Sequence, residues 1–169
     1  MNNLEVEYGK ERVIDTPTSE SAITGLAVGA SLCGKKPIVV HPRMDFALYA
    51  MDSIVNQAAK WFYMFDGKIN VPLVIRLIVG RGWGQGPQHS QSLHSFFSHI
   101  PGLKVVMPST SESVGPLMEA AIKDPNPVIF IEHRWLHSLK SNNKVKNKIK
   151  ELVKAEILKK GKDTTIVSC

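Results

Sequence analysis

Apolar positions fall into short runs whose spacing alternates between two periods. Residues 18–33, TSESAITGLAVGASLC, carry small and apolar side chains at helical spacing behind Thr18 and Ser19 as N-cap candidates, with Pro17 setting the turn. Gly34 stops this helix, and Pro37-Ile38-Val39-Val40, bounded by Pro37 and Pro42, reads as a short buried strand. A long helical stretch follows from Ala47 to Met64. VPLVIRLIVG (71–80) is a second apolar strand, the glycine loop RGWGQG comes next, and Ser90–Ser98 reads as a helix. KVVMP (104–108) is a third strand, Ser111–Lys123 a helix, and VIFIEH (128–133) a fourth strand behind the turn DPNP. Helices alternating with short apolar strands predict an α/β fold with a mostly parallel central sheet and helices on both faces. Sites in such sheets gather at the carboxyl ends of the strands, here residues 41–46, 80–89, 107–110 and 132–137.

The 169 residues suit one domain, and 43% hydrophobic content supports an ordinary core. The formal net charge of +6 is unevenly distributed, because ten of the 21 basic residues lie within 134–162 beside only two acids. That stretch has few aromatics between its lysines, so it reads as a solvated linker and not as a nucleic-acid groove. No apolar run approaches the roughly 20 residues that a membrane-spanning helix needs, and MNNLEVEYGK lacks signal-peptide features. Cys33 and Cys169 make neither a disulfide framework nor a metal quartet. The expectation is a cytoplasmic protein with a domain over 1–138, a basic linker over 139–162, and a further strand beginning at 163–169 that opens a missing C-terminal domain.

The glycine loop is the first candidate for chemistry. GWGQG is neither G-x-G-x-x-G nor a P-loop, so Gly82, Gly84 and Gly86 are read as giving close backbone access to a bulky ligand or a neighbouring chain. His89 follows at or just before the first turn of a helix, where positive dipole ends favour neutral imidazole, against the plainer reading of a packing histidine. His89, His94 and His99 recur every five residues and spread around a helix instead of forming a metal face. His133 and His137 are four apart but lack the H-E-x-x-H order, and no G-x-S-x-G elbow accompanies Ser90 or Ser92. Glu20 opens the first long helix half-buried, either as a capping partner or as an acid with a proton to exchange.

Four blocks closely resemble a known family: DTPTSESAITGLAVGASLCGKKPIV, DFALYAMDSIVNQAAKWFYM, VPLVIRLIVGRGWGQGPQHSQSLHSFFSHIPGLKVVMPST and AAIKDPNPVIFIEH. The resemblance, from Arg12 to His137, is to the pyrimidine-binding domain of the beta subunit of 2-oxo acid dehydrogenases of pyruvate, branched-chain and acetoin type, thiamine diphosphate enzymes of the transketolase superfamily. It implies that Glu20 hydrogen-bonds the pyrimidine of the cofactor, driving it into the imino tautomer that activates the thiazolium. It implies that Phe46 stacks on the pyrimidine and that His89 assists proton transfer or meets a lipoyl group. It implies a potassium ion at Leu73, Ala121, Asp124 and Asn126.

The diphosphate and its Mg2+ are held in that family by a GDG and asparagine motif on an alpha subunit, and no such motif occurs in this chain. The implied partners are therefore that alpha subunit, a second beta subunit packed in a hetero-oligomer, and the lipoyl domain of an acyltransferase. The Gly- and Ala-rich stretch Ala22–Ala30 suits close packing between subunits. The block His41-Pro42-Arg43-Met44-Asp45 departs from the more apolar residues of pyruvate-type subunits and leaves the 2-oxo acid open. The alternative activity is transketolase-like carboligation, and the alternative of another class is a non-catalytic interaction module.

Overall fold

A computed structural model describes residues 3–140, 152, 157 and 159–167. Four strands form one sheet in the order β1-β2-β4-β3, with β1 Ile38–His41, β2 Val74–Val79, β3 Lys104–Val106 and β4 Val128–His133. Every pairing is parallel, with Ile38 beside Val74, Val74 beside Val128, and Lys104 also beside Val128. All four carboxyl ends therefore lie along one edge, as the alternation of elements predicts. The helices are α1 Leu4–Tyr8, α2 Glu20–Leu32, α3 Trp61–Met64, α4 His94–Ser98 and α5 Ser111–Lys123.

The strand residues alternate between two cores. Ile75, Leu77, Val79, Ile129 and Ile131 join Ala27, Val28, Met44, Ile54 and Phe97 on one face, whereas Val74, Val128 and Phe130 pack with Val106 and Ala121 on the other. Burial on both faces explains why β2 and β4 read as continuous apolar runs and not as alternating ones. Thr110 caps α5 by accepting a hydrogen bond from the Ser113 N–H at 3.3 Å, while Ser113 Oγ accepts from the Thr110 N–H. Ser19 occupies the N-cap of α2, but its side chain makes no capping bond.

Several expected elements differ in detail. The helix expected from Ala47 to Met64 is three successive helices: a 3-10 helix at Met44–Ala50, a π-helix at Asp52–Ala58 and then α3. The last break sits where the Pro101-Gly102 turn meets it, with Lys60 Nζ donating to the Pro101 carbonyl at 2.9 Å. Gly102 has φ +99°, and a Cβ there would lie 2.0 Å from the Ala59 carbonyl oxygen. The third strand stops at Val106 because Pro108, two residues on, has no N–H to continue the ladder. The expected helix Ser90–Ser98 begins only at His94. Residues 163–167 carry no regular structure and are exposed, so the strand expected at 163–169 does not form there; a strand needs a neighbour for its backbone groups. Most of the expected linker 139–162 lies outside the described residues.

Candidate functional site

The carboxyl edge of the sheet brings together two of the residues singled out from the sequence, Phe46 and His89, and the helix that Glu20 opens packs on the same segment. Beyond β1 the chain turns at Pro42 into the 3-10 helix, whose Asp45 Oδ1 accepts hydrogen bonds from the Gln91 backbone N–H at 3.2 Å and from Gln91 Nε2 at 2.9 Å. The Leu93 N–H meets Met44 sulfur at 3.0 Å. These bonds zip residues 44–46 to residues 91–93 and so bring Phe46 edge-on to His89, with ring centroids 5.2 Å apart at 83°. His89 closes a short 3-10 turn, Pro87–His89, five residues ahead of α4, so the expected placement at a helix start is corrected: an aromatic contact fixes the ring, not a helix dipole. Its Nδ1 is buried with no hydrogen-bond partner among the described residues. A buried polar atom left unpaired is costly and calls for a partner, and the Nδ1 of His94 shares this state.

Glu20 is the first residue of α2, which packs on the 3-10 helix carrying Phe46. Its half-buried carboxylate makes no hydrogen bond or ion pair among the described residues, so the capping-partner reading is not the one realised. One turn on, Thr24 Oγ1 lies 3.1 Å from Nε2 of His41, both fully buried. Burial lowers the His41 imidazole below its usual value, against an opposing pull from the Glu20 carboxylate. Beside Phe46 a cleft of about 490 Å³ opens between Asp45, Leu48, Tyr49, Gln88 and Gln91. Neither Tyr49 nor Gln91 carries a recognisable sequence signal; the polar pair Asp45 and Gln91, 46 residues apart, is visible only in the fold.

The glycine loop runs over this edge. Gly82, Gly84 and Gly86 have φ of +86°, +66° and +73°, and an added Cβ would meet nothing within 4 Å at any of them. Backbone conformation, not close approach to a neighbour within this chain, is what requires glycine there.

Leu73, Ala121, Asp124 and Asn126 assemble at the opposite, amino edge. The Leu73 carbonyl accepts from the Val128 N–H at 2.8 Å, and the Ala121 carbonyl from the Asp124 N–H at 3.3 Å. Burial would raise the Asp124 carboxyl, but hydrogen bonds from Lys104, at 2.5 Å, and from Asn126 outweigh it and hold it below its usual value. The carboxylate charge is thus met by an ammonium, and what the turn still offers a cation is carbonyl oxygen.

His133 and His137 turn to different partners. His133 Nδ1 accepts from the Trp135 N–H, whereas His137 Nε2 lies 2.8 Å from a Glu132 oxygen. Among the described residues no group of three or more His, Cys, Asp or Glu is placed to hold a metal ion, and no helix is long and apolar enough to cross a membrane. The Glu132 side chain is 4% exposed and is gripped by Arg76 through two bonds, 2.9 and 2.5 Å. Burial would raise its pKa, but the bonds from Arg76 and His137 prevail and lower it.

A depressed carboxyl pKa contributes stability that is complete above the unfolded value of 4.5 and lost as pH falls through the folded value. For His41, whose folded pKa lies below 6.5, stability likewise declines as pH drops below 6.5, because the unfolded imidazole takes up the proton first. The melting temperature is therefore expected to fall in two stages on acidification. Arg76→Ala, which leaves Glu132 with His137 alone, is expected to cost about 2 kcal/mol in urea unfolding at pH 7, discounted because Arg76 is a quarter exposed.

The family model for the transketolase pyrimidine-binding domain matches residues 1–138. The chain is 46% identical over 158 residues to the acetoin:2,6-dichlorophenolindophenol oxidoreductase subunit beta of Cupriavidus necator, covering 94% of this chain and 47% of that one. It is 44% identical over 163 residues to the pyruvate dehydrogenase E1 component subunit beta of Rhizobium meliloti, covering 96% and 35%. A solved split-gene transketolase, an inactive beta4 tetramer, shares the fold with a TM-score of 0.62 at 18% identity, over 79% of this chain and 42% of that one. The chain spans about half or less of the length of these curated relatives. By the family model over residues 1–138 and by its parallel sheet, the chain belongs to the transketolase pyrimidine-binding domain family.

Proposed function

We propose that this chain supplies the pyrimidine half of the active site in a cytoplasmic 2-oxo acid dehydrogenase, as the beta subunit of the decarboxylating component. In this reading it works only with an alpha partner and passes the acyl unit to lipoamide on a lipoyl domain. What supports the proposal is the contact of the Phe46 ring with His89, whose Nδ1 is orphaned, together with Glu20 at the start of the helix that packs on the Phe46 segment, its carboxylate without a hydrogen bond or ion pair among the described residues. These groups fit the pyrimidine of thiamine diphosphate, which presents an aromatic face to stack and ring nitrogens to bond. When bound, that cofactor supplies the electron sink that lets a 2-oxo acid lose carbon dioxide.

Each residue has a task in this scheme. Glu20 holds a proton on the pyrimidine nitrogen, and its position at the start of α2 keeps the carboxylate near the positive end of the helix. Phe46 orients the ring and excludes water. His89, held by the Phe46 edge, moves a proton at its Nδ1 during acyl transfer. Diphosphate and Mg2+ are assigned to the alpha partner. The exposed face of α2, with Leu26 74% exposed beside exposed Gly25 and Gly29, suits a flat helix-to-helix contact with a second beta subunit.

Potassium is assigned to the carbonyls of Leu73, Ala121, Asp124 and Asn126, neutral oxygens of the kind this ion takes. Exchanging potassium for choline at equal ionic strength is expected to lower the melting temperature by a few degrees; an unchanged value removes the ion from the account. The proposal as a whole is tested by carbon dioxide release from a panel of 2-oxo acids. Turnover by a mixture with an alpha subunit, and by neither chain alone, is the expected result.

A further inference from the structure

Two guanidinium groups from the segments that follow different strands meet on one neutral oxygen. Arg43, just past β1, directs Nε to Gln85 Oε1 at 3.1 Å and Nη2 to the same atom, and Arg134, just past β4, directs Nη1 to it at 3.2 Å. Gln85 belongs to the glycine loop, four residues before His89. Arg43 Nη1 also donates to the Pro42 carbonyl at 2.6 Å, and the Arg134 guanidinium lies 4.3 Å over the centroid of the Trp83 ring. Both arginines are half-buried, whereas Gln85 and Trp83 are exposed.

The chemistry of this cluster is unbalanced. Among the described residues neither Arg43 nor Arg134 pairs with a carboxylate, nor does Arg81 in the same loop. The nearby acids are committed elsewhere: Asp45 to Gln91, and Glu132 to Arg76 and His137. Two like charges held on one amide oxygen repel each other, and a carboxylate or phosphate relieves that repulsion through forked N–H groups built for planar, bidentate contact. Arg134 commits one of its five N–H groups to the protein here, and its guanidinium lies over the Trp83 ring.

We propose that Arg43 and Arg134, gathered by Gln85, form a subsite for an oxyanion carried by the substrate. This deepens the function proposed above and rests on it for the identity of the substrate. The cluster follows the carboxyl ends of β1 and β4 and holds the loop that leads to His89, so the oxyanion it takes is a second carboxylate or a terminal phosphate of the 2-oxo acid, not the carboxylate released as carbon dioxide. The shared chemistry is the oxyanion, and the two sources differ in charge and shape.

The test needs no cofactor and no partner, so it can fail without touching the dehydrogenase reading, and the reverse also holds. Inorganic phosphate and malonate are titrated separately into the full chain at low ionic strength, with Trp83 fluorescence as the readout and Trp83→Phe to identify the signal. Saturable quenching or enhancement is expected, and the tighter probe names the class. Arg43→Gln and Arg134→Gln should each weaken binding about tenfold or more, as loss of a charge-assisted bond does. Gln85→Glu, which places a carboxylate between the two guanidiniums on an exposed side chain, should abolish binding while preserving the melting temperature. No saturable binding of either probe, or binding indifferent to Gln85→Glu, overturns the proposal and leaves the cluster as a staple for the glycine loop.

Discussion

Glu20→Gln in the complex with an alpha subunit is expected to lower kcat by about 10²–10⁴-fold, the range spanned by general acid–base contributions, with little change in melting temperature. The amide keeps size and position but, on the proposed reading, cannot hold the exchangeable proton on the pyrimidine nitrogen. Stability should be spared because the wild-type carboxylate has no partner within the chain to lose among the described residues. Glu20→Asp should also be poor, since the shorter side chain falls a methylene short. The decisive comparison is kcat against melting temperature: a loss of both together would make Glu20 structural, and unchanged kcat would remove it from the chemistry.

Gly102→Ala is expected to cost at least about 3 kcal/mol of stability, combining a positive φ with a backbone collision. The added methyl would sit 2.0 Å from the Ala59 carbonyl oxygen and 2.9 Å from its carbon, and neither belongs to a flexible side chain that can yield. The turn must move away from the break between the π-helix and α3, and the Lys60 bond to the Pro101 carbonyl goes with it. Because that helix runs from the segment holding Phe46, a second consequence is a looser Phe46 and His89 pair. Chemical denaturation gives the stability change; a loss under 1 kcal/mol would mean the turn relaxes freely.

The sheet was legible because β2 and β4 are buried on both faces, and a run such as VPLVIRLIVG or VIFIEH has no other economical reading as a short segment between loop residues. Glu20 was legible as the opening residue of α2 and His89 as a residue of the segment after β2, whereas the roles proposed for them came from the resemblance. The breaks in the helix after Phe46 were hidden, because apolar periodicity does not distinguish α from 3-10 or π turns, and the cause of one break lies in Gly102, far along the chain. The Asp45–Gln91 pair and the meeting of Arg43 with Arg134 were hidden for a similar reason: each joins loops separated by more than forty residues, and neither leaves a local pattern. His133 and His137 show the converse, a suggestive spacing that the end of a strand turns to unrelated uses.

The most direct measurement is a calorimetric titration of thiamine diphosphate with Mg2+ into this chain alone, into an alpha subunit alone, and into their verified complex. A half-site predicts tight binding in the complex and none by this chain alone, with Glu20→Gln weakening the complex's affinity. Tight binding by this chain alone, or none by a complex shown to be assembled, would contradict it.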